Sequence, residues 1–372
     1  MSPTFDAQVA IIGAGPAGTA AAAHLGQLGV QDVVLVDRAD FPRHKTCGSA
    51  VSPKGIETLK ELGVWRKVEP EAYWINGIRI VTPDGHESYQ SAGTEVQAIV
   101  CLREVLDHIL LRAAIDRGIT FVPYFSATST IERDGCLEGF VGRDGRTVRA
   151  RYTLVAGGSH CRIGTTPRPT RRVIQAIMGW WEGVPFRPNT VEMLFDRMVA
   201  PYYGWLFPEN EHRVNIGITY EDTGEKHNAR DLFARFIDKH YTKRLAGATQ
   251  IGGLKGHPIH YSYEIGDLTG PGRLVIGEAG LMTHPSTAEG IYHGMRSGMM
   301  AAEAVSDILS GRASENTAFR TYERRCRRAF QLSFWGGAAF RQLVRSPLLD
   351  WMVRLGDQPL VKSSAARLMA AM

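Results

Sequence analysis

The chain opens with an apolar run, residues 7–12 (AQVAII), which contains one polar residue and leads into a glycine-rich segment. Such a run is typical of a strand that is buried on both faces of a parallel sheet. The alanine-rich residues 16–28 predict a helix that ends at Gly29, and the run VVLV at residues 33–36 predicts a second buried strand. These segments together predict a β-turn-α-β unit.

Later segments repeat the same two kinds of periodicity. Helical spacing of apolar residues follows Ser52-Pro53, and it returns at residues 104–117, near 228–240 and in a long segment from about Ser286. Strand-like runs occupy residues 127–155, 172–220 and 273–276. Turn dipeptides such as Asp134-Gly135 predict a meander in the first of these runs. The buried pattern at residues 273–276 predicts that the first domain is completed late in the chain.

Composition argues against several classes of protein. The 372 residues exceed one ordinary core, and their 44% apolar and 22% charged residues are typical of a globular protein. No stretch approaches eighteen uninterrupted apolar residues, and the N-terminus lacks a basic region, so neither a membrane-spanning helix nor a signal peptide is expected. Five dispersed cysteines without CxxC pairing indicate a reducing compartment, hence the cytoplasm, and no structural metal.

The net charge of +5 is concentrated at the end of the chain. Residues 321–372 contain nine basic and three acidic residues, so nucleic-acid binding is not expected of a molecule whose remainder has no basic excess. Within this segment residues 329–353 are strongly apolar, with Arg341, Arg345 and Asp350 as interruptions. They are compatible with helices that cap an apolar tunnel, with helices on a membrane interface, or with a terminal helix that covers the first domain.

A phosphate-binding pattern lies between the first strand and the first helix. Gly13, Gly15 and Gly18 form G-x-G-x-x-G, in which the glycines permit a tight turn, a close approach to a pyrophosphate and close packing of helix on strand. The helix N-terminus adds partial positive charge. Asp37 follows the second strand, where an acid binds ribose hydroxyls, so FAD or NAD is favoured over NADP at this site.

A second glycine-rich turn distinguishes FAD from NAD. Residues 273–290 read as a strand, then Gly277-Glu278-Ala279-Gly280, then a proline-containing loop that ends at Gly290. A turn of this kind can hold a ribityl chain and present backbone amides to an isoalloxazine ring. Arg103, early in the helix LREVLD, is placed to reach the dinucleotide.

These motifs, together with KTCG at residues 45–48 and PYYGWLFP at 201–208, resemble the geranylgeranyl reductase family of FAD-dependent oxidoreductases. That family belongs to the aromatic-hydroxylase-like flavoproteins. The resemblance covers about residues 5–310, and its most specific part is P-x-Y-x-W-x-F-P. It implies tightly bound FAD, a substrate sheet over the flavin, reduction by NAD(P)H or a ferredoxin-like donor, and saturation of C=C bonds in prenyl chains.

The resemblance also implies roles for individual residues. Cys47 would lie near the reactive face of the flavin, and Tyr203 and Trp205 would line the pocket of an apolar, prenyl-type substrate. The residues carried over as cofactor-binding are Gly13, Gly15, Ala17, Gly18, Asp37, Arg38, Gly48, Ala50, Arg103, Ala127, Gly277, Glu278, Gly290 and Ile291.

The expected fold is α/β, with a Rossmann-like FAD-binding domain, a second domain built on a mainly antiparallel β-sheet, and C-terminal helices. The FAD-binding domain is discontinuous, comprising residues 1–70, 101–170 and 271–330. The substrate-binding domain comprises residues 71–100 and 171–270, and residues 331–372 form a C-terminal helical cap.

The chemistry of the residues agrees with reduction of an alkene. An isolated C=C bond accepts hydride only if the other carbon is protonated almost at the same time, and aromatic faces such as those of Tyr203 and Trp205 stabilise a developing cation. Cys47, or a water that it orients, is a candidate proton donor. Both features also have structural interpretations, since a free thiol often packs in a core and aromatic residues often fill one.

Three positions depart from the family pattern. Glu278 stands where an aspartate is usual, Gly157 replaces the acid of an A-D-G strand end, and His284 introduces a titratable group into the late loop. For a prenyl diphosphate, Arg171 and Arg172 or the arginines at 324–328 are candidate partners of the phosphates.

Other functions remain compatible with these motifs. The nearest alternative is an FAD-dependent monooxygenase of a biosynthetic pathway. A flavin-dependent halogenase is disfavoured because Tyr203 replaces the first tryptophan of W-x-W-x-I-P and because residues 68–225 contain no lysine. A flavoprotein that binds a lipid without turning it over is a further alternative from a different class.

Overall fold

The computed structural model describes residues 3–165, 173–221 and 228–356. Its helices are α1 (Pro16–Gln27), α2 (Pro53–Glu61), α3 (Trp65–Val68), α4 (Arg103–Ile115), α5 (Ala229–His240), α6 (Thr242–Leu245), α7 (Ile291–Leu309), α8 (Glu315–Val344) and α9 (Leu348–Gly356). The strands before residue 160 are β1 (Thr4–Ile12), β2 (Val33–Val36), β3 (Ala50–Val51), β4 (Tyr73–Ile75), β5 (Gly77–Val81), β6 (Glu87–Ser91), β7 (Ala98–Val100), β8 (Thr120–Val122), β9 (Ala127–Arg133), β10 (Cys136–Gly142) and β11 (Thr147–Val155). The later strands are β12 (Val173–Glu182), β13 (Thr190–Leu194), β14 (Gly204–Pro208), β15 (Arg213–Glu221), β16 (Thr249–His260), β17 (Thr269–Gly270) and β18 (Arg273–Val275). Short 3-10 turns lie at Glu69–Glu71, Gly158–His160 and Gly277–Gly280.

A mainly parallel sheet forms the first layer. Its strand order is β17-β18-β11-β1-β2-β8, and β10 and β9 extend it from β11 as an antiparallel meander. Helices α1, α4 and α7 pack on one face of this sheet, and the meander covers the other. The last four residues of β1 are therefore all buried, as continuous apolar runs in parallel sheets usually are. The glycine-rich turn that follows β1 lies at the carboxyl edge, where such sheets bind ligands.

A seven-stranded sheet forms the second layer. Its order is β16-β12-β15-β14-β13-β5-β6, and all neighbours are antiparallel except β13 and β5. Side chains alternate between its faces, so Leu206 packs beneath the sheet against Phe236 of α5, while Tyr203 and Trp205 lie on the opposite face. A small third sheet has three strands, in the order β3-β7-β4.

Helix α8 joins the two layers. Its first half packs Phe319, Tyr322 and Phe330 into the core of the parallel sheet. Its last turns, and α9 after them, pack Val344 and Leu349 against the aromatic face of the seven-stranded sheet. Buried Arg341 fixes this second contact, because its Nη2 donates to Glu221 Oε1 at 2.7 Å, its Nη1 donates to the Tyr261 hydroxyl, and its guanidinium lies 4.6 Å from the centre of the Tyr202 ring.

The predicted fold class is confirmed, with a parallel Rossmann-like sheet, a mainly antiparallel second sheet and C-terminal helices. Helix α7, however, begins at Ile291 and not near Ser286, because Ala288 adopts a left-handed backbone conformation that interrupts a helix. The domain bounds stay a prediction. The expected boundary between residues 330 and 331 falls inside α8, which continues without a break from one layer to the other.

Candidate functional site

A single cavity of about 1020 Å³ extends from the glycine-rich turn after β1 to the aromatic face of the seven-stranded sheet. This volume is at the upper end of the range of ligand pockets, roughly 300–1,000 Å³. Of the fourteen residues predicted to bind the cofactor, all but Gly18 and Gly277 line it. Cys47, Tyr203 and Trp205, the residues predicted to be catalytic, line it as well. The structure thus brings nearly the whole predicted site together.

Gly18 and Gly277 act behind the cavity wall. A Cβ atom on Gly18 would lie 1.9 Å from the carbonyl oxygen of Gly13, and one on Gly277 would lie 2.8 Å from the Cβ of Ala17. Gly13 itself has a φ of +99°. Gly18 is needed because the turn after β1 and α1 are packed backbone against backbone, and Gly277 is needed because it has a φ of +60° and packs against the methyl group of Ala17. The packing leaves Gly15, Pro16 and Ala17, at the N-terminus of α1, lining the cavity.

Asp37 lies where β2 ends and stabilises the same turn. Its Oδ2 accepts a hydrogen bond from the amide of Ala14 at 2.7 Å, and its Oδ1 accepts one from Ala39 at 2.9 Å. A carboxylate has about four acceptor positions, so capacity remains for the hydroxyls of a ribose. The side chain is half-buried at the cavity edge, next to exposed Arg38.

Arg103 is the first residue of α4 and is buried beside the cavity. It makes a bidentate ion pair with Asp107, with distances of 2.8 Å from Nε to Oδ1 and 2.7 Å from Nη2 to Oδ2. Arg43 approaches the same carboxylate at 3.3 Å. Burial opposes the charge on Arg103, but Asp107 outweighs it and raises the pKa of the guanidinium, so Arg103 is a permanent cation at the cavity wall.

Two of the departures from the family pattern have local explanations. A side chain at residue 157 would place its Cβ only 2.6 Å from the sulfur of Cys161, so Gly157 fits where a larger residue clashes. Glu278 uses its Oε1 to accept the amide of His260 at 2.8 Å, which ties the late turn to the end of β16. Glu278 therefore lines the cavity and also connects the two layers.

The third departure, His284, does not line the cavity. It is fully buried behind the late loop, where burial lowers its pKa to about 4. Its Nε2 lies 3.2 Å from the carbonyl of Ser333, and its Nδ1 accepts the amide of Thr287 at 3.2 Å. The expected titratable group beside the flavin is thus a neutral side chain that holds the loop against α8.

The turn KTCG brings the thiol of Cys47 to the aromatic wall. A Cβ on the next residue, Gly48, would lie 3.2 Å from the ring of Phe207 and 3.5 Å from Trp205 Nε1, so the turn packs closely against these two rings. The amide of Ser49 donates to Cys47 Sγ at 3.3 Å. Cys47 consequently lies between the dinucleotide end of the cavity and its aromatic end.

Hydrogen bonds fix the side chains of Trp205, on β14, and of Tyr203, the residue before β14. The Tyr203 hydroxyl donates to the carbonyl of Thr287 at 2.6 Å, and Trp205 Nε1 donates to Asn215 Oδ1 at 2.7 Å. Their ring centroids are 6.3 Å apart. Gly217 is paired with Trp205 on the neighbouring strand β15. A Cβ at this position would lie 2.2 Å from the indole, so a glycine is needed to leave room for the ring.

Glu289 is a cavity residue that sequence reasoning missed. Its Oε1 has no solvent access and no hydrogen-bond partner among the described residues, and burial raises the pKa of its carboxyl. Burial also raises the pKa of the Tyr203 hydroxyl, with smaller contributions from Glu289 and Cys47. The carboxyl of Glu289 and the thiol of Cys47 therefore both lie near that hydroxyl, at the aromatic end of the cavity. The only sequence signal was an acid immediately before Gly290 and Ile291.

A second group that was missed is the cluster of Lys45, His257 and Ser159. Lys45 Nζ is 2.8 Å and Ser159 Oγ is 2.9 Å from Nε2 of His257. Burial, followed by the Arg103 cation, lowers the pKa of Lys45 to about 8, and burial and Lys45 lower the pKa of His257 to about 3. The arrangement is a neutral imidazole that accepts hydrogen bonds, with an ammonium facing the cavity. The absence of lysine from residues 68–225 argued against a halogenase. Lys45 lies outside that range but lines the cavity, so it weakens this argument.

The residues present fit FAD. The glycine turn offers free amides at a helix N-terminus, Asp37 retains acceptor capacity, and Lys45 and Arg103 place positive charge along the cavity. Glu289 Oε1 and Thr283 Oγ1 are buried, have no hydrogen-bond partner within the part of the chain that the structure describes, and belong to residues that line the cavity, which suits a ring edge that exchanges hydrogen bonds. Arg171 and Arg172, the expected phosphate partners, lie outside the described residues, and the arginines at 324–328 lie on α8 and do not line the cavity.

Comparison with known proteins agrees with this site. The family model described as FAD binding domain matches residues 6–333. The menaquinone reductase of Mycolicibacterium smegmatis is 28% identical over 81% of this chain and 76% of its own length. The digeranylgeranylglycerophospholipid reductase of Methanothrix thermoacetophila is 24% identical over 95% of this chain and 89% of its own.

A solved structure gives the same fold. The crystal structure of a geranylgeranyl bacteriochlorophyll reductase-like protein from Thermoplasma acidophilum superposes with a TM-score of 0.86, at 20% identity, over 99% of this chain and 96% of that one. The family match covers most of the chain and includes both the glycine turn and the late turn. The chain belongs to the FAD binding domain family and is an FAD-dependent oxidoreductase, similar in fold to the geranylgeranyl bacteriochlorophyll reductase-like protein.

Proposed function

We propose that the protein saturates C=C bonds in a prenyl or terpenoid-like apolar substrate. The observation that carries the proposal is the continuity of the cavity, which places Cys47 between the dinucleotide end and an apolar wall. Besides Tyr203 and Trp205, this wall is formed by Ile78, Ala176, Met178, Met193, Phe207 and Ile259. Similarity to a menaquinone reductase and to a digeranylgeranylglycerophospholipid reductase supports a prenyl substrate.

In this proposal the cofactor is held by the fourteen residues named from the sequence. The amides of the glycine turn and Arg103 bind the diphosphate, Asp37 binds the ribose, and the segment from Glu278 to Ile291 borders the flavin. When bound and reduced by NAD(P)H or a ferredoxin-like donor, FAD supplies a hydride from N5. Gly18 and Gly277 act indirectly, by permitting the close packing behind the turn.

The protein's own part of the reaction is to position the alkene and to supply a proton. The ring faces of Tyr203 and Trp205 stabilise the positive charge that develops on the carbon receiving hydride as a proton reaches the other carbon. Cys47, or a water that it orients, gives its proton to that other carbon, so the alkene gains one hydride and one proton. The apolar wall excludes bulk water, which would otherwise quench the developing cation.

Two alternative reactions use the same fold, because a fold does not fix the chemistry of its site. A monooxygenase would insert oxygen into the substrate, and a halogenase would use Lys45 with a halide. A protein that only binds lipid would show no turnover. The apolar wall accommodates substrates of all three classes, so the products must decide.

The deciding experiment is the mass of the product. Photoreduced, anaerobic holoenzyme is mixed with a panel of prenyl substrates, and a parallel sample in air contains bromide. A gain of two hydrogens without oxygen supports the reductase. A gain of one oxygen, seen only in air, contradicts the reductase and supports a monooxygenase, and a gain of one bromine supports a halogenase. Bound but unchanged lipid in every sample supports a protein that only binds lipid.

A further inference from the structure

The outer side of helices α8 and α9 carries an unusual surface. Five of the nine large apolar side chains that are exposed in the described residues lie between residues 332 and 352. They are Leu332, Trp335, Leu348, Trp351 and Met352, here called the apolar ridge. Leu332 is 78% exposed, Trp335 54% and Trp351 60%. A concentration of this kind marks an interaction surface rather than the scattered apolar residues of an ordinary surface.

The ridge follows from the sequence periodicity of α8. The positions that α8 buries in its second half are Phe334, Gly337, Arg341 and Val344, which share one side of the helix. Arg328, Leu332, Trp335 and Ala339 recur at intervals of three and four residues on the opposite side, and all four are exposed. The exposed side of α8 therefore changes along the helix from arginine to apolar residues.

Charge complements this surface. Exposed arginines border the ridge, at positions 324, 327 and 328 on one side and at 345 and 354 on the other. Among the described residues from 324 to 356 the single acid is Asp350, which is buried and accepts the amide of Asp84 at 3.0 Å. A helix surface with tryptophan and leucine beside arginine, and without exposed acids, fits the interface of an anionic bilayer.

The inner side of the same helices relates the ridge to the cavity. Val344 and Leu349 pack into the cluster that contains Tyr203 and Trp205, so one pair of helices covers the apolar wall and carries the ridge. Within the described residues, no helix has both the length and the apolar composition to cross a bilayer. Contact with lipid would thus be peripheral.

We infer that the apolar ridge and its arginines dock the protein on the surface of an anionic phospholipid bilayer. Trp335 and Trp351 insert at the level of the headgroups, while Arg324, Arg328 and Arg354 pair with lipid phosphates. Docking in this orientation brings the apolar wall of the cavity close to the membrane in which a prenyl lipid resides. This last consequence rests on the proposed function, whereas docking itself does not.

The test is sedimentation of the holoenzyme with vesicles that contain no substrate. One set is pure phosphatidylcholine, and the other contains about 30 mol% phosphatidylglycerol. We expect binding to the anionic set to be at least about tenfold stronger and to weaken at least about tenfold between roughly 0.05 and 0.5 M salt. The variant Leu332→Ser/Trp335→Ser should lose binding, and Arg324→Gln/Arg328→Gln should lose most of the preference for anionic lipid.

A matched control comes from Trp74, which is exposed on β4, outside α8 and α9. Trp74→Ser should bind as the unchanged protein does. Equal binding of all variants, or no binding to either vesicle, overturns the inference. If the protein instead forms a dimer that Leu332→Ser/Trp335→Ser dissociates, the ridge is an interface between two copies. The vesicle experiment measures no turnover, so its result does not depend on whether the protein is a reductase. The product-mass experiment likewise does not depend on whether the protein docks on a bilayer.

Discussion

The two ends of the cavity are built in different ways. At the dinucleotide end the contacts are made by backbone, with Gly13 and Gly18 packed so closely that a single methyl group has no room. At the aromatic end they are made by side chains, whose positions are fixed by hydrogen bonds such as that from Trp205 to Asn215. A cofactor common to many proteins can be held by backbone geometry, whereas a particular substrate needs a wall whose side chains can vary. We therefore expect substitutions at the two ends to fail differently.

The largest effect is expected for Gly18→Ala. The added Cβ would lie 1.9 Å from the Gly13 carbonyl oxygen, so the turn after β1 must move and its amides no longer converge on the diphosphate. We expect purified protein with little bound FAD and a loss of unfolding free energy of ~1–3 kcal/mol or more. Flavin absorbance per protein and thermal unfolding measure the two effects.

The control is Gly247→Ala, since no heavy atom lies within 4 Å of a Cβ at that position. It should retain FAD and stability. Full FAD occupancy in Gly18→Ala would contradict the view that backbone packing forms the dinucleotide end.

This difference between the two ends also explains what could be predicted from the sequence. The glycine turn, Asp37 and the late turn are each encoded within a few neighbouring residues, so their spacing alone indicated the cofactor. In chain order, Lys45, Ser159 and His257 are each more than ninety residues from the next. No local sequence pattern therefore predicts that they lie together. The proposed proton donor was named only because KTCG resembles a family motif.

Some errors arose from loops whose backbone departs from the helical or strand pattern. The predicted start of α7 at Ser286 ignored the left-handed conformation of Ala288, which composition does not reveal. His284 was placed near the flavin because it lies in the late-loop motif of the family, yet its ring lies outside the cavity and packs against Phe334. Side-chain direction in such a loop is decided by tertiary contacts with α8, not by the sequence of the loop.

The next largest effect is expected for Cys47→Ala. If the thiol supplies the proton, turnover should fall by about 100-fold while FAD remains bound, because Arg103, beside the thiol, keeps its bidentate ion pair with Asp107. Anaerobic single-turnover kinetics with a prenyl substrate measure this loss. Full turnover with bound FAD would remove Cys47 from the mechanism.

Glu289→Gln sharpens this result. The carboxyl interacts with Ser52, and its amide counterpart should preserve that contact, so we expect a loss of less than about tenfold. A large loss in Glu289→Gln combined with full turnover in Cys47→Ala would assign the proton to Glu289. Flavin absorbance of both variants shows whether the cofactor is retained.

A smaller effect is expected at the aromatic wall. Trp205→Leu keeps an apolar wall but removes the aromatic face, which should lower kcat/KM by about ten- to thirtyfold, corresponding to a cation–π contribution of about 1–2 kcal/mol. Trp181→Leu is the matched control, because Trp181 is equally buried but lies on the opposite face of the sheet, in the core with Phe233. Its kcat/KM should change less than about twofold. Equal losses in both variants would mean that stability, rather than contact with substrate, explains the effect.

The smallest effect concerns the charge of Lys45. Because its pKa in the folded protein is about 8, Lys45 is an ammonium at pH 7 and mostly a neutral amine at pH 9.5. FAD carries a diphosphate, so its dissociation constant should rise a few-fold as the pH increases across this interval. Lys45→Gln should bind FAD more weakly at pH 7 and lack this rise, whereas Lys67→Gln, a change at an exposed position, should retain it.

Unfolding of the protein without FAD tests the same group independently, with the opposite sign. The pKa of Lys45 is lowered in the folded state from 10.5, so between about pH 8 and 10.5 the unfolded chain binds more protons than the folded one. The contribution of Lys45 to stability therefore rises with pH in that window, while the affinity for FAD falls. Comparing the unfolding free energies of the unchanged protein and Lys45→Gln at pH 7.5 and 9.5 isolates this contribution. A difference that does not vary with pH would mean that the ammonium is not desolvated beside Arg103, and the decrease in FAD affinity would then need another titrating group.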